Sequence, residues 1–355
     1  MDIRTSLRRK RQDRSAIRLI LSADDAGMTP LVNDAIVSAA ASGVLSAASV
    51  MAGMPFAADA VNRFRQRMLP IDVGAHFCLT SGRPVADPAE LPMLVGADGK
   101  FRHGFGGLLR LAFSRQRNEF FRQVRQELDA QLEWFVARDV PIRFVDGHQH
   151  VHMIPGIFTQ VREAVQQRGL LLRISDERIV SVNRLLRRWR HWLPGGLIKK
   201  TILSTMTRWT GCGRCGMVDA AGTNVGGVNG DGMNAVVAYH GVLDTGRFLL
   251  LAWESLFDAW ESRRAGGSGG GECGDLTLLV NIHPATGRVL SSDASRFCMS
   301  PADERFVHHE NRIHEWEAII GEPFRELLRR YCVEIVRIHE QDAVHCCDEL
   351  FSAAA

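Results

Sequence analysis

Short apolar runs that break abruptly into polar residues recur along the chain, and longer segments with helical spacing lie between them. The first run, residues 17–23 (Ile-Arg-Leu-Ile-Leu-Ser-Ala), stops at Asp24-Asp25-Ala26-Gly27. A run of this length bounded by a turn signal predicts a buried strand. Thr29-Pro30 then predicts a helix start, because proline suits the first helical position, and Gly43 ends that helix after Ala41. Further strands are predicted at 45–51, 71–77, 142–146, 170–174, 276–282 and 333–338, with helices at 57–66, 116–138, 156–168 and 309–331. Strand–helix alternation on this scale predicts an α/β fold with a parallel sheet. Polar residues gather just after the strand ends, as they do on the active face of a barrel.

The middle of the chain breaks this pattern. From Arg178 through Arg214 there are nine Lys/Arg residues and no Asp or Glu, with Trp189, Trp192 and Trp209 interleaved. This segment, about 178–214, is expected to be the solvated basic face of an insertion. The rival use of such a face is contact with anionic lipid or nucleic acid. A formal net charge of +3 is too small to argue for nucleic acid, and none is expected. Residues 218–234 predict a loop, 265–274 a glycine-rich connector, and 1–16 and 346–355 tails, leaving 17–345 as a single domain. No apolar stretch reaches the roughly 18 residues of a membrane span. The basic N-terminus lacks the apolar core of a secretory leader. With eight cysteines, this predicts reduced thiols in a cytoplasmic protein, peripheral to the membrane if 178–214 touches it. Cys212 and Cys215 form a lone C-x-x-C. A structural zinc needs four ligands, so Cys346 and Cys347 would have to supply the rest, and unpaired thiols are the expectation.

Candidate chemistry sits at three strand ends: Asp24-Asp25, His76, and Asp146-x-His148-x-His150-x-His152. In an extended backbone all three histidines of the last group would face one side, and in a helix His148 and His152 would. Imidazole with carboxylate suits a divalent transition metal, and two histidines with one carboxylate leave positions open for water and substrate. Adjacent aspartates at a strand end point in different directions, so one can ligate while the other acts as a base.

The strings Leu21-Ser-Ala-Asp-Asp-Ala-Gly27, Gly74-Ala-His-Phe-Cys-Leu-Thr80 with Gly82 and Pro84, Asp146-Gly-His-Gln-His-Val-His152 and Ile282-His283-Pro284 come in one order. Together they resemble the YdjC-like carbohydrate deacetylases, the group that includes chitooligosaccharide and hopanoid-associated deacetylases. Arg312 and Glu315 also resemble a family feature, and the resemblance covers roughly residues 17–340. It implies a distorted (β/α) barrel of the glycoside hydrolase/deacetylase type. It implies one divalent ion, Mg or Zn, held by Asp25, His76 and His148, with Asp24 as base and His283 as acid. Asp146, His150, His152, Thr80 and Arg312 then support the ligands or touch substrate, and Asp146 is the nearest carboxylate in sequence to orient His148. The activity implied is hydrolysis of an N-acetyl group on an amino sugar, either an oligosaccharide or a glycolipid, by ion-activated water, in a protein that can form a homodimer. The chain departs from the family at Ala26 (usually Phe), Ala285 (usually Gly) and Leu279 (often Glu), which bears on pocket shape. The competing classes are another metal-dependent amidohydrolase or phosphoesterase, and a basic lipid- or nucleic-acid-binding protein.

Overall fold

The computed structural model describes residues 17–175, 194–210, 217–218, 237–240, 250–265, 277–288, 299–307 and 309–338. The tails 1–16 and 346–355, the basic stretches 178–193 and 211–214, residues 219–234, the connector 266–274 and Cys212, Cys215, Cys346 and Cys347 lie outside them.

Among the described residues nine strands form one sheet: β1 (Ile17–Ala26), β2 (Ala47–Val50), β3 (Asp72–Phe77), β4 (Phe144–Gly147), β5 (Leu171–Arg173), β6 (Met217–Val218), β7 (Val237–His240), β8 (Thr277–Ile282) and β9 (Val333–Ile335). Their order is β6-β5-β4-β3-β2-β1-β8-β7, and β9 pairs with the start of β1. Every pairing among these described strands is parallel except β5–β6. The helices that alternate with the strands are α1 (Pro30–Ala41), α2 (Ala57–Gln66), α3 (Phe105–Ala112), α4 (Arg117–Val136), α5 (Ile157–Gln167), α6 (Pro194–Thr210), α7 (Leu250–Ala265), α8 (Pro301–Val307), α9 (Asn311–Ile320) and α10 (Glu322–Arg330). This is the α/β arrangement of a distorted barrel, and among the described residues no pairing joins β6 to β7.

β1 is buried along its whole length except at Arg18, because β8 flanks one side while β9 and then β2 share the other. A strand covered in this way must be nearly all apolar, which is why its two terminal aspartates stand out. Thr29 caps α1 by accepting a hydrogen bond from Val32 N at 3.2 Å, with Pro30 in the first turn. In β3, Gly74 sits opposite Phe144 in β4, and a Cβ there would lie 2.4 Å from the ring. Glycine is required for the Phe144 ring to cross the strand.

The segment expected to be one helix at 309–331 is two, α9 and α10, with Gly321 extended between them (φ −71°, ψ 153°). Pro323 is the cause. It has no N–H to continue a helix, but it fits the first turn of a new one.

The long loop after β3 is held by side chains of α4 rather than by a ladder. Gln131 donates to Cys78 O (2.7 Å) and accepts from Cys78 N (3.1 Å). Glu127 accepts from Val85 N and Ala86 N, both at 3.0 Å, and Gln123 accepts from Met93 N at 2.9 Å. Residues 123, 127 and 131 are spaced four apart, so they stack on one helix face. All three are buried. Removing the Glu127 carboxylate leaves two loop N–H groups without an acceptor, at roughly 1–3 kcal/mol each where buried. Glu127→Ala is therefore expected to lower stability by about 2–4 kcal/mol. Urea unfolding checks this, and limited proteolysis should place the first new cleavage within residues 79–95.

Candidate metal centre

Asp24 and Asp25 leave β1 at a bulge, where the pairing with β2 slips between Ala23 and Ala26. Asp25 adopts a left-handed backbone (φ 67°), which aspartate tolerates better than most residues. The turn is fixed behind it by Asn33, whose Oδ1 accepts from Gly27 N at 2.8 Å. Gly27 itself has φ 93°, and a Cβ there would meet the Ala57 backbone at 2.7 Å. Both aspartates thereby stay buried and turn toward different partners.

Asp25 Oδ1 lies 2.9 Å from His148 Nδ1 and 3.4 Å from His76 Nε2. One ligand atom from each of Asp25, His76 and His148 lies within 4.8 Å of the others, and the set is buried. Donors about 2.0–2.2 Å from one ion sit roughly 3.0–3.5 Å apart, so the set fits a divalent cation. The far nitrogen of each ring meets a carboxylate: His76 Nδ1 donates to Asp146 Oδ1 at 2.6 Å, and His148 Nε2 to Asp303 Oδ1 at 2.9 Å. Such partners fix ring orientation at metal sites. The expectation that Asp146 orients His148 is therefore corrected. Asp146 is in register with His76 across β3 and β4 and serves that ring, while Asp303 in α8 reaches His148.

Asp24 is bound differently. Arg173, fully buried at the end of β5, donates to Oδ1 at 2.8 Å and to Oδ2 at 2.6 Å, and its Nη1 also lies 2.8 Å from Asp146 Oδ2. Asn281 in β8 adds 3.1 Å to Oδ2, and Ser49 in β2 adds 3.3 Å to Oδ1. A second donor set, Asp24, His76 and Asp146, is also close enough for an ion. However, Arg173 already supplies the cation between its two carboxylates.

The electrostatics follow from this wiring. Burial alone would raise Asp24, but the charge and hydrogen bonds of Arg173 pull it down to about 2. Burial opposes ionisation of Asp25 as well, and His148, His76 and Arg312 override it and hold the carboxyl well below its usual range. His76 is driven up to about 9 by Asp146, against burial, and His148 is raised strongly by Asp303 and Asp25. His152 goes the other way, to about 4, because burial dominates. Asp24, Asp25, Asp146 and Asp303 surround the two rings as buried carboxylates, and Glu315 is a fifth beside Arg312. Arg173 pairs with Asp24 and Asp146, and Arg312 with Asp25, so carboxylates outnumber guanidiniums and a divalent cation or protonated histidines would offset the excess.

The His148–His152 segment is neither extended nor regularly helical. It is a short 3-10 turn in which Gln149 (φ 51°) and His150 (φ 59°) are left-handed. Only His148 reaches the donor set. His150 Nδ1 meets Ser175 Oγ at 2.9 Å, and His152 Nε2 meets Arg173 O at 2.9 Å, so both brace the Arg173 strand end. His283, 9% exposed against 0–4% for Asp24, Asp25, His76 and His148, is the most open of these groups. Its Nε2 is 3.8 Å from Asp24 Oδ2. Arg312 and Glu315, one turn apart on α9, hold its backbone from both sides, through Arg312 Nε to His283 O and His283 N to Glu315, each 2.8 Å. Arg312 Nη2 reaches Asp25 Oδ2 at 3.3 Å. Thr80 is buried with its hydroxyl 3.9 Å from Cys78 Sγ, and its neighbour Ser81 is the one that joins the cluster, on Asp303. Arg173, Asn281, Ser49, Ser81 and Asp303 were not expected from the sequence. Of the three tryptophans in the basic segment, Trp209 is described. It is exposed and meets Phe113 at 6.2 Å between ring centroids.

Fold and site together define an α/β protein with a buried His/Asp cluster of metal-binding geometry. The family model described as YdjC-like protein matches residues 18–330, and the chain belongs to that family. It is 35% identical over 154 residues to a carbohydrate deacetylase of Geobacillus stearothermophilus (43% of this chain, 58% of that protein). It is 31% identical over 191 residues to one of Brevibacillus brevis (54% and 66%). To the mouse carbohydrate deacetylase it is 35% identical over 168 residues (46% and 52%). The matches thus span between half and two thirds of those relatives. A crystal structure from Enterococcus faecalis V583, provisionally described as a cellobiose-phosphate cleavage protein, superposes with a TM-score of 0.58 at 18% identity. It covers 93% of this chain and 99% of its own, and it shares the fold.

Breaking a buried ion pair from one side costs about 3–5 kcal/mol, because the remaining charge has no partner. Arg173→Met is expected to destabilise the metal-free protein by about that amount. Adding Asp24→Asn to it should recover part of the loss. Urea unfolding of the two single variants and the double variant measures the coupling.

Proposed function

We propose that this protein is a metal-dependent carbohydrate N-deacetylase that hydrolyses the N-acetyl group of an amino sugar. The observation that carries the proposal is the convergence of Asp25 Oδ1, His76 Nε2 and His148 Nδ1, beside a separate carboxylate and a more open histidine. Similarity to carbohydrate deacetylases supports the substrate class. No helix among the described residues is long and apolar enough to cross a membrane.

Asp25, His76 and His148 would hold a divalent cation, which supplies Lewis-acid polarisation of the amide carbonyl and a lower pKa for water. Asp24 lies beside this set and is kept anionic by Arg173. Its two oxygens carry four donors, and Ser49, the longest at 3.3 Å, is the one water displaces most easily. From that position Asp24 orients the attacking water and takes its proton. Held down to about 2, Asp24 does not retain the proton. His283 Nε2, 3.8 Å away, is the nearest imidazole to receive it and pass it to the departing amine. Acetate and the free amino sugar are the products. Arg312 and Glu315 fix the His283 peptide, so its ring pivots from a rigid base.

Chelation should abolish acetate release from N-acetylglucosamine oligomers, and a divalent ion should restore it. Asp24→Asn should keep the ion and lose about 10²–10⁴-fold in turnover. His148→Ala should lose both ion and activity. Full activity after chelation, or phosphate release from model esters in place of acetate release, would favour a different hydrolase.

A further inference from the structure

Two rings contribute nitrogens to the donor set, and each is backed by a carboxylate. For His76 that carboxylate is the neighbouring strand's Asp146. For His148 it comes from Asp303, more than 150 residues away in sequence and outside the sheet. Asp303 is 2% exposed. Its two oxygens have separate tasks. Oδ1 accepts from His148 Nε2 at 2.9 Å and from Gln149 Nε2 at 3.0 Å. Oδ2 accepts from Ser300 Oγ at 2.6 Å and from Ser81 Oγ. Ser300 in turn caps α8, accepting from Asp303 N at 3.2 Å, and its own N–H donates to Ser81 Oγ at 3.1 Å. The same short helix places Phe306 against His283 (ring centroids 5.2 Å) and under the Arg312 guanidinium (4.7 Å). Val307 packs with Met28, Met51, Met54 and Cys78. α8 thus touches the His148 turn, the loop after β3, the candidate acid and a buried methionine cluster.

We infer that Asp303 is a positioning residue for the metal centre: delivered by α8, it fixes the His148 ring so that Nδ1 faces the ion, and it ties that ligand to the Ser81 loop. The inference rests on the proposed metal site. A competing role for Asp303 is purely structural, as the acidic member of the helix cap beginning at Ser300. The two roles differ in what they do to metal affinity. Carboxylates that back a ligating histidine typically contribute 10–100-fold to binding.

The test is Co²⁺ titration of the full chain after removal of metal, followed by visible absorption. Asp303→Asn should bind Co²⁺ about 10–100-fold more weakly than the wild type, with an altered ligand-field spectrum. Its metal-free melting temperature should fall as well, because the buried His148–Asp303 pair is broken, so affinity and spectrum rather than stability carry the test. Ser81→Ala should shift affinity in the same direction by less. An Asp303→Asn protein that melts lower yet keeps wild-type Co²⁺ affinity and spectrum would overturn the inference and leave the metal centre standing. Failure of the wild type to bind Co²⁺ would remove the centre itself, and the inference with it. Independently of any variant, histidine-selective ¹⁵N NMR of the Zn²⁺-loaded wild type should show His148 protonated at Nε2 and metallated at Nδ1. The reverse assignment would also overturn the role of Asp303.

Discussion

Burying four carboxylates around two histidines, three at the ends of parallel strands (Asp24, Asp25 and Asp146) and one on helix α8 (Asp303), is the constraint from which the rest of this site follows. An isolated carboxylate taken out of water costs several kcal/mol even after relaxation, so each must find a cation or a set of donors. Arg173 answers for Asp24 and bridges to Asp146, and Arg312 answers partly for Asp25. The histidines are then held between carboxylates, His76 between Asp146 and Asp25, and His148 between Asp303 and Asp25. Where Asp25 and the two rings converge, their donor atoms lie close enough together to hold a cation.

Adjacent residues in β1 therefore acquire opposite electrostatic roles. Asp24 faces a guanidinium that satisfies both its oxygens, while Asp25 faces two imidazoles whose nitrogens can ligate. A regular strand would send one of them to the other face of the sheet. The bulge between Ala23 and Ala26 and the left-handed turn at Asp25 let both stay on the functional side. The backbone irregularity is thus tied directly to the division of labour between the two side chains.

Much of this was legible in the sequence, for an identifiable reason. β1, β3, β4 and β8 run apolar into residues that a buried strand would exclude, at or just past their ends, so Asp24, Asp25, His76, Asp146, His148 and His283 stood out. α1, α2 and α4 showed their boundaries through Pro30, an apolar face or a mixed-charge stripe. What stayed hidden depended on contacts between distant segments. Arg173 lies in the predicted strand 170–174 with nothing beside it in sequence to mark it, yet it is among the largest fully buried side chains. Asp303 sits in the seven-residue helix α8, too short to carry an amphipathic period. The two left-handed residues in the His148–His152 turn broke the periodicity from which the facing of the three histidines was inferred. At 309–331 the continuing apolar stripe masked the break that Pro323 imposes.

Cys78 shows how the surroundings limit the chemistry of the site. It follows His76 by two residues and could have been a soft ligand. Its sulfur is instead engaged by the Ser81 backbone, at 3.3 Å to Ser81 O and 3.4 Å to Ser81 N, and it packs among Met28, Met51 and Met54. Gln131 pins its peptide from the far side. With the thiol turned into that apolar group, the donor set keeps two imidazoles and one carboxylate. Such a set suits borderline divalent ions and is a poor match for soft monovalent ones. Thiolate ligation, which would add negative charge and make the centre less electrophilic, is disfavoured by this packing together with the Ser81 and Gln131 hydrogen bonds. The α4 side chains that hold this loop from outside the sheet thus help to keep the thiol away from the donor set.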